Sequence, residues 1–272
     1  MERTNNIFLW LGAMLVSVLL ISCKSEFEKI RTGGDTAGMY EAGMKYYDAG
    51  EYLKAQTLFE QIISAYRGRK EAEQLFFKYA YTHYYLEQYI LSAYYFKNFS
   101  ETFSNSDYRE EAMFMSAFSN YQLSPSFRLD QSNTTTAIDE FQLFVNTFPR
   151  SERVEECNRL IDQLRSKLEI KAIAQAQLYY DMQQYRAAVE SFGMVLQDYP
   201  ESKDAQNIAY KQVLAEHKLA KNSVYSKKAE RFEKTVELAD RFLTRYPESD
   251  FFQKVTDIKF DSNEELKSLI DG

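Results

Sequence analysis

Residues 185–202 read YRAAVESFGMVLQDYPES, an amphipathic helix with its own stop. Phe192, Val195, Leu196 and Tyr199 recur at helical spacing and so share one apolar face. Pro200 forbids continuation of the helix, and Ser202 can cap the next one. The word Tyr199-Pro200-Glu201-Ser202 returns as Tyr246-Pro247-Glu248-Ser249. Phe148-Pro149-Arg150-Ser151 is a close variant, placed after Phe141, Phe144 and Val145. Phe103-Ser104-Asn105-Ser106 has lost the proline, and Ala65-Tyr66-Arg67-Gly68 holds the equivalent place in the first unit. Words recurring at roughly 37 to 51 residues mark a repeat architecture.

Inside the units, small and aromatic residues keep a common spacing. The first unit carries Gly43, Tyr46, Gly50, Tyr52, Ala55 and Phe59, and the second Ala80, His83, Tyr89, Ser92 and Phe96. The fourth carries Ala176, Tyr179, Tyr185, Ala188 and Phe192. These intervals resemble the tetratricopeptide repeat (TPR), where small residues let two antiparallel helices approach and rings fill the gaps between them. The third and fifth units match only in their second helices, at Ala137, Phe141, Phe144 and Pro149 and at Ala239, Phe242 and Pro247. Their connections, Leu123 to Thr136 and Asn222 to Lys227, are longer. No strand-like alternation or Gly-rich hairpin turn competes. The expectation is an all-α chain of about five TPR-like helical hairpins, stacked as a solenoid over residues 37–272.

The chain opens differently. Arg3 precedes an apolar run from Ile7 to Ile21, broken only by Gly12 and Ser17. That run is shorter than the roughly 20 residues of a membrane-spanning helix and has the length of a signal-peptide core. It ends in Leu20-Ile21-Ser22-Cys23, which looks like a lipobox, so residues 1–22 read as a lipoprotein signal peptide and Cys23 as the acylated residue. A secretory signal with an incidental cysteine, or a short anchor, is the plainer alternative. Lys24, in place of an inner-membrane-retaining aspartate, points to the outer membrane. Residues 23–36, charged and containing Gly33-Gly34, read as a flexible lipidated tether. Asp35-Thr36-Ala37 resembles a short O-glycosylation sequence, although a helix N-cap at Asp35 or Thr36 is the simpler use.

Composition excludes several function classes. The net charge of −7, without a concentrated basic stretch, argues against a nucleic-acid partner. With Cys23 acylated, Cys157 is the only thiol, which precludes an intramolecular disulfide and suits a small buried apolar residue. His83 falls at a packing position, and His217 lies in a Lys- and Glu-rich helix, where it reads as a surface residue. These residues have no zinc spacing, and there is no phosphate loop or nucleophile elbow. Neither catalysis nor a cofactor is expected. Lys218, Lys221, Lys227, Lys228 and Arg231 read first as a solvated face.

A repeat of hairpins offers instead a face for partners. On the first helix of the first hairpin, Tyr40, Met44 and Tyr47 form a stripe one step around from the packing residues. Phe77, Tyr81 and Tyr84 repeat it in the second, with Tyr85 beside them. Packing positions are already held by Met39, Gly43, Tyr46, Phe76, Ala80 and His83, which leaves the stripe free to line a groove. Completion of the core is its other possible use. The occupant expected is an extended or turn-forming peptide with a terminal aromatic.

A lipobox, a short tether and hairpins ending in aromatic-Pro-x-Ser resemble the BamD family, lipoproteins of the outer-membrane β-barrel assembly (BAM) machine. The most specific stretches are 111–117 (EAMFMSA), Leu129-Asp130-Gln131 before Ala137-Ile138, Leu178-Tyr179-Tyr180 through Ala188, and 219–223 (LAKNS). They look most like the Bacteroidetes branch. The resemblance implies a periplasm-facing scaffold on the outer membrane, held by acylated Cys23. It would dock a BamA-like barrel subunit through a POTRA domain and recognise the C-terminal signal of unfolded outer-membrane proteins. The stripe from Tyr40 to Tyr85 would take the client. The later hairpins, including the fourth and the helix after Pro200, would dock the barrel subunit; there Lys203-Asp204-Ala205-Gln206 offers mainly a lysine and an amide. The loop at Asp130 and Gln131 would brace a hairpin or touch a partner. The rival readings are a TPR adaptor lipoprotein in envelope or cell-wall coordination and a glycan-binding surface lipoprotein.

Overall fold

The computed structural model describes residues 25–271, so Cys23 and the leader at 1–22 lie outside the described residues. Twelve helices and no strand occur among the described residues. A short α1 (Glu26–Thr32) precedes five hairpins. These are α2 (Thr36–Asp48) with α3 (Tyr52–Ile62), α4 (Ala72–Tyr85) with α5 (Tyr89–Thr102), and α6 (Arg109–Leu123) with α7 (Ser132–Thr147). Then come α8 (Val154–Asp181) with α9 (Tyr185–Asp198), α10 (Ala205–Lys221) with α11 (Tyr225–Arg245), and a final α12 (Phe252–Asp271). The fold class is all-α and TPR-like. Two compact units divide it, residues 25–124 with 132–158 and residues 125–131 with 159–271.

The helix-stop words all build the same turn. The amide of the fourth residue donates to the aromatic's carbonyl in Ser106→Phe103 and Ser151→Phe148 at 3.0 Å, in Ser202→Tyr199 at 3.0 Å and in Ser249→Tyr246 at 3.2 Å. Each serine Oγ then accepts from the amide two residues on, at Tyr108, Arg153, Asp204 and Phe251. Orphan amides at the next helix start are thereby satisfied. The copy without proline makes the same turn, so the serine matters more to the turn than the proline does. Two of the serines also tie consecutive hairpins together. Ser106 donates to Glu73 at the start of α4, and Ser151 to Glu110 at the start of α6, 2.6 Å away.

In the first, second and fourth hairpins the turn is a left-handed residue closing a Schellman-type end. Gly50, Glu87 and Gln183 have φ of 75°, 58° and 60°. Behind them, Glu51, Gln88 and Gln184 donate to Tyr46, His83 and Tyr179 at 2.8, 2.9 and 2.9 Å. Packing follows the small-residue pattern. Met39, Ala55, Leu58, Phe59, Ile62, Tyr66, Leu75 and Tyr79 form the first core cluster. In the second unit, Ala176, Ala188, Phe192, Val195, Ile208 and Ala215 form one cluster, and Val213, Leu238, Ala239, Phe242 and Val255 another. Cys157 is fully buried, and burial pushes its thiol up to about 11, so it acts as an inert apolar side chain.

One stretch differs from the sequence expectation. The segment read as a flexible tether contains α1, capped by Ser25, with Phe27 and Ile30 packed on the first core. Two apolar residues three apart suffice to seat one turn of helix, and the glycines that suggested flexibility only end it. Asp35 caps α2, accepting from Ala37 and Gly38 at 3.0 and 3.1 Å, which is the N-cap use of that word. α8 runs for 28 residues because nothing between Val154 and Asp181 is Gly or Pro. The loop before α7 is a brace. Gln131 is buried and its Nε2 donates to Ser126 O and Leu129 O at 2.8 and 3.0 Å, while Lys171 Nζ donates to Phe127 O and Leu129 O at 3.1 and 2.8 Å.

Gly43 shows which effect governs the first hairpin. A Cβ there would lie 2.5 Å from Phe59 Cε1 and 2.8 Å from Cδ1, and that ring is fully buried. Alanine gains about 1 kcal/mol of helix propensity, but overpacking a core typically costs about 1–3 kcal/mol. Gly43→Ala is therefore expected to lower stability by about 1 kcal/mol in urea unfolding at constant m; an increase would contradict close approach at this position.

Candidate functional site

The stripe starts where α2 leaves the core. Tyr40 is half-buried, stacks on Tyr66 at 5.1 Å and 11°, and donates its hydroxyl to Gln74 Oε1 at 3.1 Å. Met44 and Tyr47 pack their inner edges on the first core cluster. Tyr47 lies edge-on to Tyr52 at 5.5 Å, and Lys78 Nζ sits 4.3 Å above its ring. Lys78 is held there by Asp48, 2.6 Å away, so the cation is both paired and stacked.

On α4 the structure separates the predicted residues into two layers. Phe77 is 8% exposed, stacked on Tyr108 at 4.5 Å and edge-on to Phe96 at 6.0 Å. It belongs to the packing layer, not to an exposed lining, because its ring packs against Phe96 and Phe99 of α5. Tyr81 stands over this layer, 4.8 Å edge-on from Phe96, and donates its hydroxyl to Glu111 of α6. Burial first, and then that carboxylate, hold its phenol well above the ordinary value. Tyr85 is exposed and links the two hairpins, stacking on Tyr52 at 4.2 Å and 15° and on Tyr81 at 5.6 Å. Tyr84 reaches Tyr89 at 5.6 Å and Phe118 of α6 at 6.3 Å.

That last contact exposes residues the sequence reading missed. Phe114, Phe118 and Tyr121 lie 37 residues beyond Phe77, Tyr81 and Tyr84, as those lie 37 beyond Tyr40, Met44 and Tyr47. Gly43, Ala80 and Ala117 share the same phase. Phe118 stacks on Tyr121 at 5.6 Å and 16°, so rings touch one another from the first hairpin into the third. The stop words widen to a spacing of 45 after Phe103, while α6 still keeps the 37-residue phase. Glu111 lies 3.9 Å from Arg153, whose guanidinium covers Phe114 at 4.3 Å, and together they give this end of the stripe its charges.

The packing histidine behaves as expected and the other does not. His83 is buried, and Gln88 Oε1 accepts from its Nδ1 at 2.6 Å and from Gln56 Nε2 at 2.9 Å. His217 of α10, expected at the surface, is buried against α11 and α12. Its Nε2 faces Asp261 at 3.1 Å and its Nδ1 faces Ser262 Oγ at 3.2 Å. The final helix, which follows the last stop word, covers a face that the Lys- and Glu-rich sequence made look solvated. Glu216 beside it is also buried, and burial raises its carboxyl against the pull of Arg231, Lys234 and Arg186. Of the basic cluster, Lys221 pairs with Asp261 at 2.6 Å, Lys227 with Glu230 at 2.9 Å, and Arg231 donates to Ser223. Lys203 and Gln206 are exposed at the start of α10.

Comparison with known proteins gives this arrangement a context. The model of the YfiO family, described as outer membrane lipoprotein, matches residues 33–229. The outer membrane protein assembly factor BamD of Rickettsia prowazekii is 25% identical over 190 residues, covering 70% of this chain and 76% of the relative. An Aquifex aeolicus protein carrying the BamD name is 25% identical over 212 residues, covering 76% of this chain and 68% of the relative. Among solved structures, a TPR repeat protein of Bacteroides fragilis aligns over 85% of this chain and 99% of its own, at 12% identity and a TM-score of 0.39.

The buried histidines fix a pH dependence. Burial lowers the pKa of both, and Lys221 lowers that of His217 further against the opposing Asp261. The unfolded chain then binds protons more readily, so the stability they contribute is complete above about pH 6.5 and is lost as pH falls below it. Glu216, raised by burial, has the opposite sign. The readout is therefore a difference: His217→Gln is expected to flatten the fall in Tm between about pH 7.5 and 5.5 relative to the unsubstituted protein. Parallel curves would contradict a buried neutral ring.

Proposed function

This chain belongs to the YfiO, or BamD, family of outer-membrane lipoproteins, and we propose that it is a non-enzymatic subunit of the β-barrel assembly machine. In this reading acylated Cys23 holds it on the periplasmic side of the outer membrane. The tyrosine stripe receives the last strand of an unfolded barrel protein, and the later hairpins dock the POTRA domain of a BamA-like barrel subunit. Holding both at once brings the client's terminal strand to the protein that inserts it.

The observation that carries the client part is the ring layer above Phe77. Tyr40, Met44 and Tyr47 lie half-buried over the first core cluster, and Tyr81, Tyr84 and Tyr85 outside the core filled by Phe77, Phe96 and Phe99. Each ring keeps a polar tip, and rings of that kind suit a partner with an apolar side and a polar backbone. An extended strand presents alternate side chains on one face, so a row of rings can take every second residue while the peptide groups meet phenols. For the docking part, Lys203 and Gln206 are exposed where α10 begins, after the fourth stop word. The names of the Rickettsia and Aquifex relatives support the same assignment at the level of assembly factor.

Purification of the tagged protein from detergent-solubilised membranes tests the assignment. A POTRA-containing barrel protein is expected in stoichiometric amount, and Lys203→Glu combined with Gln206→Glu should lower its recovery while the helical circular dichroism stays unchanged. Recovery of cell-wall or envelope enzymes without any barrel protein would replace the reading with that of a TPR adaptor.

A further inference from the structure

The anchor residue and the first two hairpins together constrain what lies under α3 and α5. Phe27, at the start of α1, sets its ring edge-on to Tyr46, 5.7 Å away, near the end of α2. Lys54, in the first turn of α3, holds its Nζ 5.0 Å from the centre of the same Tyr46 ring. The start of α1 therefore lies at the turn end of the first hairpin, beside Gly50. Cys23 precedes Glu26 by three residues, about 10 Å at full extension. A lipid on Cys23 enters its membrane within that reach of the turn end.

The same end carries apolar side chains that the core does not use. Leu53 is 63% exposed, Ile90 71%, Leu91 44% and Tyr94 58%. The two helix starts are joined there, since Gln56 Nε2 donates to Gln88 Oε1 at 2.9 Å and Tyr52 stacks on Tyr85. Leu53 is one turn before Gln56, and Ile90 is two residues after Gln88. A single exposed leucine needs no explanation, but a group on neighbouring helix starts marks a surface that something covers.

We infer that the turn ends of the first two hairpins rest in the interfacial zone of a phospholipid bilayer, with Leu53, Ile90 and Leu91 inserted and Tyr94 at the headgroup level. This rests on the acylation of Cys23 in the proposed function. Lys54 neutralises Glu51 at this end, while Glu87 is exposed, so a zwitterionic surface suits it better than an anionic one. The insertion adds a second membrane signal to the acyl chains. It also turns the helix-stop ends of α3 and α5 away from the lipid.

The protein supplies its own reporter site. Trp10 is the one tryptophan and lies in the leader, so Ile90→Trp or Leu53→Trp gives the mature protein a single indole. Each acylated variant is placed in phosphatidylcholine vesicles with brominated acyl chains, and intact mass records the lipid on Cys23. Leu143→Trp, exposed on α7, serves as the control. Emission at 53 and 90 is expected to shift to the blue and be quenched, with 143 unaffected. Acylated protein whose 53 and 90 emission stays unquenched would overturn the docking and leave the anchor standing. A mass without acyl chains would overturn the anchor and the docking with it. Equal quenching at 143, or shielding of residue 90 by a co-purified protein in native membrane vesicles, would also overturn it.

Discussion

The contact of a small residue with a buried phenylalanine sets the rest of this structure. Gly43 lies against Phe59 with no room for a Cβ, and Ala80 and Ala117 hold the same place in the next two hairpins. Phe59, Phe96, Phe141, Phe192, Phe232 and Phe242 are each at most 2% exposed. Where one helix supplies only a small side chain, its partner comes close enough for a single ring to fill the layer. Dense interiors penalise any change in that volume, which is why a small residue keeps that place through the first three hairpins.

That economy of space has a consequence on the other side of the first helices. Once Phe59 in the first hairpin and Phe77 and Phe96 in the second complete the packing layer, further rings on α2 and α4 lie over it, half-buried. They gather as a layer of their own, in contact with one another and tipped with hydroxyls. The Tyr81 hydroxyl on Glu111 and the Lys78 ammonium between Asp48 and Tyr47 fix two of these rings through charged partners on neighbouring elements. Such a surface is held in shape before anything binds, which lowers the ordering cost that a loose aromatic surface would bear.

The fold was legible because its signals are local. A stop word is four residues long, and the serine that makes its turn is part of the word. Layers are harder to read than turns. Phe76 and Phe77 are adjacent in sequence, and a shift of one residue, about 100° around a helix, decides which of them is buried deeper. Burial by elements far along the chain was not readable at all. His217 looks like a surface residue of a charged helix until α12 covers it, and Glu216 until α9 and α11 surround it. The seating of α1 rests on just Phe27 and Ile30, too few for a period. The continuation of the stripe onto Phe118 and Tyr121 was present in the sequence as an unbroken 37-residue phase, but the widening of the stop words masked it.

Anchor, stripe and later hairpins make one account only if the ring layer receives a client rather than merely closing the core. Titration of the protein with a peptide copying the last strand of an outer-membrane barrel protein, ending in an aromatic residue, tests this most directly. Tyr81→Ala with Tyr84→Ala is expected to weaken that affinity roughly tenfold or more while helix content is retained, as loss of central aromatic contacts does. An unchanged affinity in the folded double variant would contradict the account.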